Sequence, residues 1–242
     1  MQLYLYNFIT SSCNSLWNIL YKLNININIF VYNLLSTYPA CIGILYFIIS
    51  FCGGSYGLAL SVLLRTQISM PAYCCLDNNY HSVITSHGLY MIIYFIMPWF
   101  IGGVVNILYV MQLYTDEFSL PRLNAVSLWL LYLSFIIYNI GNLTGLGISG
   151  GWTLYPPLVM TQHIAIDLSI ISLHFAGLSS IFTSANIIAT LLSCYIYSFS
   201  IWSFISSYSL FIWAIIITAI MLILAIPILA VAITFLLCDR YF

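Results

Sequence analysis

The sequence predicts an all-α, polytopic transmembrane helix bundle with five spanning helices, and three observations carry that prediction. Charged residues make up 4% of the 242, where soluble domains carry about a quarter. Hydrophobic residues make up 63%, and the mean hydropathy is +1.08. Five apolar runs, at about 38–64, 82–112, 125–147, 163–193 and 207–237, each reach the roughly 20 residues that a helix needs to cross a bilayer. The runs are continuous rather than alternating, which selects helices over a barrel. With four Lys and Arg in the whole chain, no basic surface exists for nucleic acid, and the lipid bilayer is the expected surrounding.

Residues 1–34 come first and differ from the rest. "NFITSSCNSLWNILYKLNININIFVYNLL" mixes asparagine with isoleucine and aromatics, which suits a helix lying in the interface better than a spanning one. The stretch lacks the arginines of a transit peptide and the cleavage pattern of a signal peptide. The division is therefore an N-terminal extension at 1–34 and a helical bundle at 35–242. The abundance of Ile, Tyr, Phe and Asn hints at an AT-rich, organellar gene. The first run ends in "LSVLLRTQISMP", where Arg65 can snorkel to water or donate to a buried polar ligand.

The second run, "ITSHGLYMIIYFIMPWFIGG", holds His87 near its start. An ionisable ring there either hydrogen-bonds a neighbouring helix or binds a metal or haem through a neutral imidazole nitrogen. Ser86 and Gly88 leave a clearing beside it. At its far end "IGGVVN" places Gly102 and Gly103 for close helix approach, with Asn106 19 residues beyond His87. At 1.5 Å per residue this is about 28 Å, so histidine and asparagine sit near opposite faces.

The connection "YTDEFSLPRLNAVS" is the most charged stretch, with Asp116, Glu117 and Arg122. Pro121 enforces a turn and can start the next helix, on which Asn124 and Ser127 share a face. "GISGGWTLYPPL" then joins the third and fourth runs on the His87 side, with Trp152 and Tyr155 as interface anchors. The fourth run carries "HFAGLSSIFTSAN", where Ser179, Thr183 and Asn186 recur at helical spacing and Ser180 adds a hydroxyl. Such a stripe can bind neighbouring helices or line a water chain. A carboxylate at a mouth followed by amides and hydroxyls suits a proton conduit. Seven cysteines, including the vicinal Cys74-Cys75, show no metal spacing and read as small buried hydrophobes. The basic residues split two against two about the membrane and set no orientation.

Taken in order, "LLRTQ", "YHSVITSHGLYMIIYFIMP", "IGGVVN", "LPRLN", "GGWTLYPPL", "DLSIISLHFAGLSSI", "AN" and "AIPILAVAITFLLCDR" resemble the N-terminal part of subunit 1 of cytochrome c oxidase, in the haem–copper oxidase superfamily. The resemblance covers about residues 36–240, or helices I–V of a twelve-helix subunit. It implies that His87 is an axial ligand of low-spin haem A, with Arg65, Tyr80 and Trp152 around that haem. It also implies that Glu117 stands at the mouth of a D-type proton pathway. Asn106, Asn124, Ser127, Ser179, Ser180, Asn186 and Tyr46 would follow along it.

Several departures stand out. The usual "GAPDMAFPRMNN" is "YTDEFSLPRLNA", so the mouth acid is glutamate, Asp116 lies beside it, and Ala125 replaces an asparagine. Gln67 replaces a glutamate that helps bind a peripheral cation, and "NHKDIG" has become "TYPACIG". The "HPEVY" segment and the later histidines of the family are not in these residues. The resemblance thus implies a second axial histidine, a second haem A and copper in helices VI–XII, expected on a partner chain as in a split subunit, with a longer product that continues past these residues as the alternative. Subunits 2 and 3 and cytochrome c complete the implied partners, in the mitochondrial inner membrane. A transporter or channel segment, or a quinol-oxidising relative, are the alternatives.

Overall fold

The computed structural model describes residues 36–69, 80–144, 147–156, 159, 164–196 and 208–241. The interfacial helix expected in 1–34, Lys22, Cys13, Cys74-Cys75 and Pro157 lie outside the described residues. Five helices are present: α1 Pro39–Ser69, α2 Tyr80–Gln112, α3 Pro121–Leu143, α4 Ile164–Ile196 and α5 Leu210–Tyr241. All five are long and apolar enough to cross a membrane, and no strand occurs among the described residues. They belong to one unit, Thr37–Phe242.

The expected runs and the helices agree except at their ends, where polar chemistry rather than hydropathy sets the boundary. α3 starts at Pro121, four residues before the apolar run, because the ring presets a helical φ and needs no N–H partner in the first turn. α5 continues to Tyr241 because its last turn is held by an ion pair: Arg240 Nε donates to Asp167 Oδ1 at 2.9 Å. Asp167 sits in the first turn of α4, where the helix dipole also favours an anion. Arg240 reaches across to the Val159 carbonyl as well, at 2.7 Å.

α2 is the irregular member. Its backbone runs in the wide π register over Tyr90–Ile96 and again over Pro98–Tyr109. Pro98 lacks a donor, and widened turns of this kind accompany such interruptions and recur at functional sites.

α1 packs on α2 over the broadest interface, α3 on α4, and α4 on α5. α1 and α2 meet by omission of side chains. A Cβ on Gly102 would lie 2.3 Å from the Tyr46 ring, and one on Gly103 would lie 2.4 Å from the Phe47 ring. Tertiary contact between these helices therefore requires glycine at both positions. At the Asn106 end an apolar cluster of Tyr109, Phe118, Ile187, Ile212 and Ile216 closes the bundle.

Candidate functional site

His87 lies on α2 facing α1, half-buried, with Nδ1 2.8 Å from the carbonyl oxygen of Gly57. A carbonyl only accepts, so Nδ1 is the donor, and in the neutral ring Nε2 then keeps its lone pair. A second hydrogen bond that fixes tautomer and ring orientation is the usual support of a metal-binding imidazole. No group of three or more His, Cys, Asp or Glu that could hold a bare ion occurs among the described residues.

The described part of the next connection, residues 147–156, folds over this end of α2. Gly151 N–H donates to Thr85 Oγ1 at 2.9 Å, and a Cβ on Gly88 would sit 3.6 Å from Trp152 Cβ. Trp152 is 61% exposed and Arg65 is exposed at the end of α1, in the wall of an open pocket of about 650 Å³. Tyr80 opens α2 with its ring against His81. None of these three hydrogen-bonds His87, so the structure gathers them at one end of the bundle without joining them to the histidine.

Asn106, Asn124, Ser127, Ser179 and Tyr46 do come together. Asn124 Nδ2 donates to Asn106 Oδ1, and Asn106 Nδ2 to the Gly102 carbonyl. Ser127 Oγ donates to the Asn124 carbonyl at 2.7 Å and shares a 2.8 Å bond with the Tyr46 hydroxyl. Ser179 Oγ donates to the Ser127 carbonyl at 2.6 Å. All five residues are buried, so each bond replaces one that water or lipid-exposed backbone would otherwise leave open. A small cavity of about 20 Å³, room for about one water, is lined by Tyr46, Ser179, Ser180 and Thr183.

Ser180 leaves this seam. Its Oγ donates to the Ala176 carbonyl at 2.9 Å, and the residue lines both the small cavity and a larger groove. That groove, about 550 Å³, runs between α2, α4, α5 and the Trp152 loop, with Met97, Ile226 and Leu236 in its walls and Asp239 at its rim.

Asp116 and Glu117 stand exposed on the turn after α2. Asn186 braces the same connection instead of extending the seam: its Oδ1 accepts from Leu120 N–H at 3.1 Å. Thr190 assists by accepting from Ser119 N–H at 3.2 Å. Among the described residues two buried amide atoms have no hydrogen-bond partner, Asn124 Oδ1 and Asn186 Nδ2. Sequence reasoning missed Gly57, whose contribution is a backbone carbonyl, and Thr190, whose helical spacing from Asn186 was the available signal.

Residues 41–242 match the protein family described as Cytochrome C and Quinol oxidase polypeptide I. The chain is similar to a Leishmania tarentolae protein named "Cytochrome c oxidase subunit 1", 38% identical over 214 residues, or 86% of this chain and 38% of that protein. A Yarrowia lipolytica protein of the same name is 36% identical over 166 residues, 66% of this chain and 31% of that protein. A third, from Plasmodium berghei, is 35% identical over 179 residues, 68% of this chain and 38% of that protein. The chain spans about a third of the length of the curated relatives it matches.

Proposed function

Because this chain belongs to the cytochrome c and quinol oxidase polypeptide I family, we propose that it supplies helices I–V of a cytochrome c oxidase of the mitochondrial inner membrane, holding low-spin haem A and admitting protons. The observation that carries the reading is the His87 Nδ1 hydrogen bond to the Gly57 carbonyl, which makes Nε2 the nitrogen a neutral ring can offer to a metal. The haem would supply one-electron transfer, and His87 would give it one imidazole ligand. A second ligand, the second haem and copper would come from outside these residues.

Arg65, Tyr80 and Trp152 stand at the same end of the bundle and hold the periphery of the haem. On the opposite face Asp116 and Glu117 gather protons from water. The seam then carries them inward. Asn106 and Asn124 orient water without trapping charge, and the hydroxyls of Ser127, Tyr46 and Ser179 both donate and accept. The unpartnered Asn124 Oδ1 and Asn186 Nδ2 offer one acceptor and one donor to such water. Ser180 passes protons from the small cavity to the groove, where a helix of the oxidase's remaining part packs. Subunits 2 and 3 and cytochrome c complete the assembly, and the gene is organellar.

His87→Ala in the assembled oxidase is expected to remove the low-spin haem absorbance; a normal bis-histidine spectrum in that variant refutes the assignment. Replacing Glu117 with Gln and Asp116 with Asn together is expected to slow oxygen consumption at least tenfold. Unchanged turnover and pumping would sink the conduit.

A further inference from the structure

The turn of α2 that carries His87 is held from three sides. Thr85, Ser86 and His87 are consecutive, so on a helix they point about 100° apart, and each bonds a different element. Thr85 Oγ1 accepts from Gly151 N–H of the connection after α3 at 2.9 Å. Ser86 Oγ donates to Asn142 Oδ1 of α3, and His87 Nδ1 donates to the Gly57 carbonyl of α1.

The α3 side is built from linked amides and hydroxyls. Ser86 and Tyr90 share a helix face at i, i+4, and the Asn142 carboxamide spans them. Its Oδ1 accepts from Ser86 at 3.3 Å, a long bond, and its Nδ2 donates to the Tyr90 hydroxyl at 3.2 Å. That hydroxyl donates in turn to Asn139 Oδ1 at 2.7 Å. Asn139 Nδ2 is tied to the Phe135 carbonyl of its own helix at 2.7 Å, which makes Asn139 a fixed acceptor. The fully buried Tyr90 ring sits between Tyr56 of α1 and Tyr138 of α3, with centroids 4.7 and 4.9 Å away. Phenylalanine and leucine would fill this layer without needing any partner. Linked hydrogen bonds add direction, because they weaken when a helix rotates, whereas ring packing tolerates such rotation.

Direction matters at this height because the backbone changes register here. α2 is α-helical over Tyr80–Leu89 and takes the π register at Tyr90, three residues after His87. A change from i→i+4 to i→i+5 bonding alters the angle between successive side chains. The packing of the lower part of α2 therefore does not dictate which way the His87 turn faces. Ser86 and Tyr90 flank His87 in the chain and lie on either side of the register change, so their bonds to one carboxamide fix that turn.

We propose that Asn142 and Tyr90 are positioning residues for His87: they lock the rotation of its turn, and with it the imidazole plane and the Nδ1 bond to Gly57. They act through the backbone of α2 rather than on the imidazole itself. This role rests on the haem reading, since it is a bound iron that senses the ring plane, and since a firm Nδ1 hydrogen bond makes Nε2 a stronger donor.

The test is electron paramagnetic resonance and redox titration of the assembled oxidase carrying Tyr90→Phe, with Asn142→Ala as a second variant that decides alone if the first fails to assemble. Tyr90→Phe keeps the ring between Tyr56 and Tyr138 and removes only the two hydroxyl bonds. In both variants the low-field line of the low-spin haem is expected to shift and broaden. Its reduction potential is expected to rise, because a loosened Nδ1 bond weakens the donor that stabilises the ferric state. Tyr109→Phe is the control: it removes a hydroxyl bond of the same kind, 3.0 Å to the Ile187 carbonyl at the opposite end of α2, and should leave line and potential at their parent values. An unmoved line and potential in Tyr90→Phe and Asn142→Ala overturn the positioning role and leave the haem ligand standing. Equal shifts in Tyr109→Phe also overturn it, because general loosening of the bundle then accounts for them. A parent protein with no bis-imidazole signal overturns the haem reading and this role with it, and is told apart by appearing before any substitution is made.

Discussion

The α1–α2 and α3–α4 interfaces solve one problem in opposite ways. Lipid gives helices no hydrophobic reason to associate, so contact must come from close fit or from hydrogen bonds. α1 and α2 use fit: Tyr46 and Phe47 lie flat over Gly102 and Gly103, with no room for a methyl group. α3 and α4 use bonds: Ser134 Oγ donates to the Ser172 carbonyl at 2.7 Å, as Ser179 does to Ser127. The residue that belongs to both is Tyr46, whose ring fills the glycine site while its hydroxyl reaches Ser127. A steric interface tolerates no added atom, whereas a polar one tolerates volume changes but not the loss of a partner.

This contrast can be broken at several points. Gly102→Leu should have the largest effect: it drives a side chain into Tyr46, beyond the roughly 1–3 kcal/mol of ordinary overpacking, and no assembled protein is expected in detergent extracts. Asp167→Leu should follow, at about 3 kcal/mol, because it strands the Arg240 charge, only 5% exposed, in a buried site. Thermal denaturation of the solubilised complex measures it, and Asp167→Asn should recover part of the loss. Asn124→Leu leaves Asn106 Oδ1 without its donor and should cost about 2 kcal/mol, read by the same assay. Tyr46→Phe keeps the ring over Gly102 and removes only the bond to Ser127, so about 0.6 kcal/mol is expected. If Tyr46→Phe proved as damaging as Gly102→Leu, the division into a steric and a polar interface would fail.

The candidate site was legible in unequal parts. Asn124 and Ser127 at i, i+3, and Ser179 and Thr183 at i, i+4, share helix faces, and burial of each pair follows from that spacing. Asn186 shares the same periodicity yet turns to the Leu120 backbone, a choice fixed by where the connection happens to pass. Ser180, one residue from Ser179, bonds its own helix at Ala176 and borders the groove as well as the small cavity, since adjacent helical positions differ by about 100°. The π register of α2 was not foreseeable, because Pro98 marks an interruption but not how the backbone accommodates it.

By itself, the sequence determined that the chain lives in lipid, how many times it can cross, and which polar groups must find partners there. These follow from local quantities: the length of apolar runs, the cost of burying a charge, and the spacing of side chains on a helix. Only the tertiary structure decided which partner each polar group found. His87 is oriented by the carbonyl of Gly57, a group every residue possesses, so no residue type announces it. Arg240, a surface charge when read from the chain, is neutralised 73 residues away by Asp167. Periodicity fixes the face of a helix but not its rotation, height and neighbour, and those three variables set every hydrogen bond between helices.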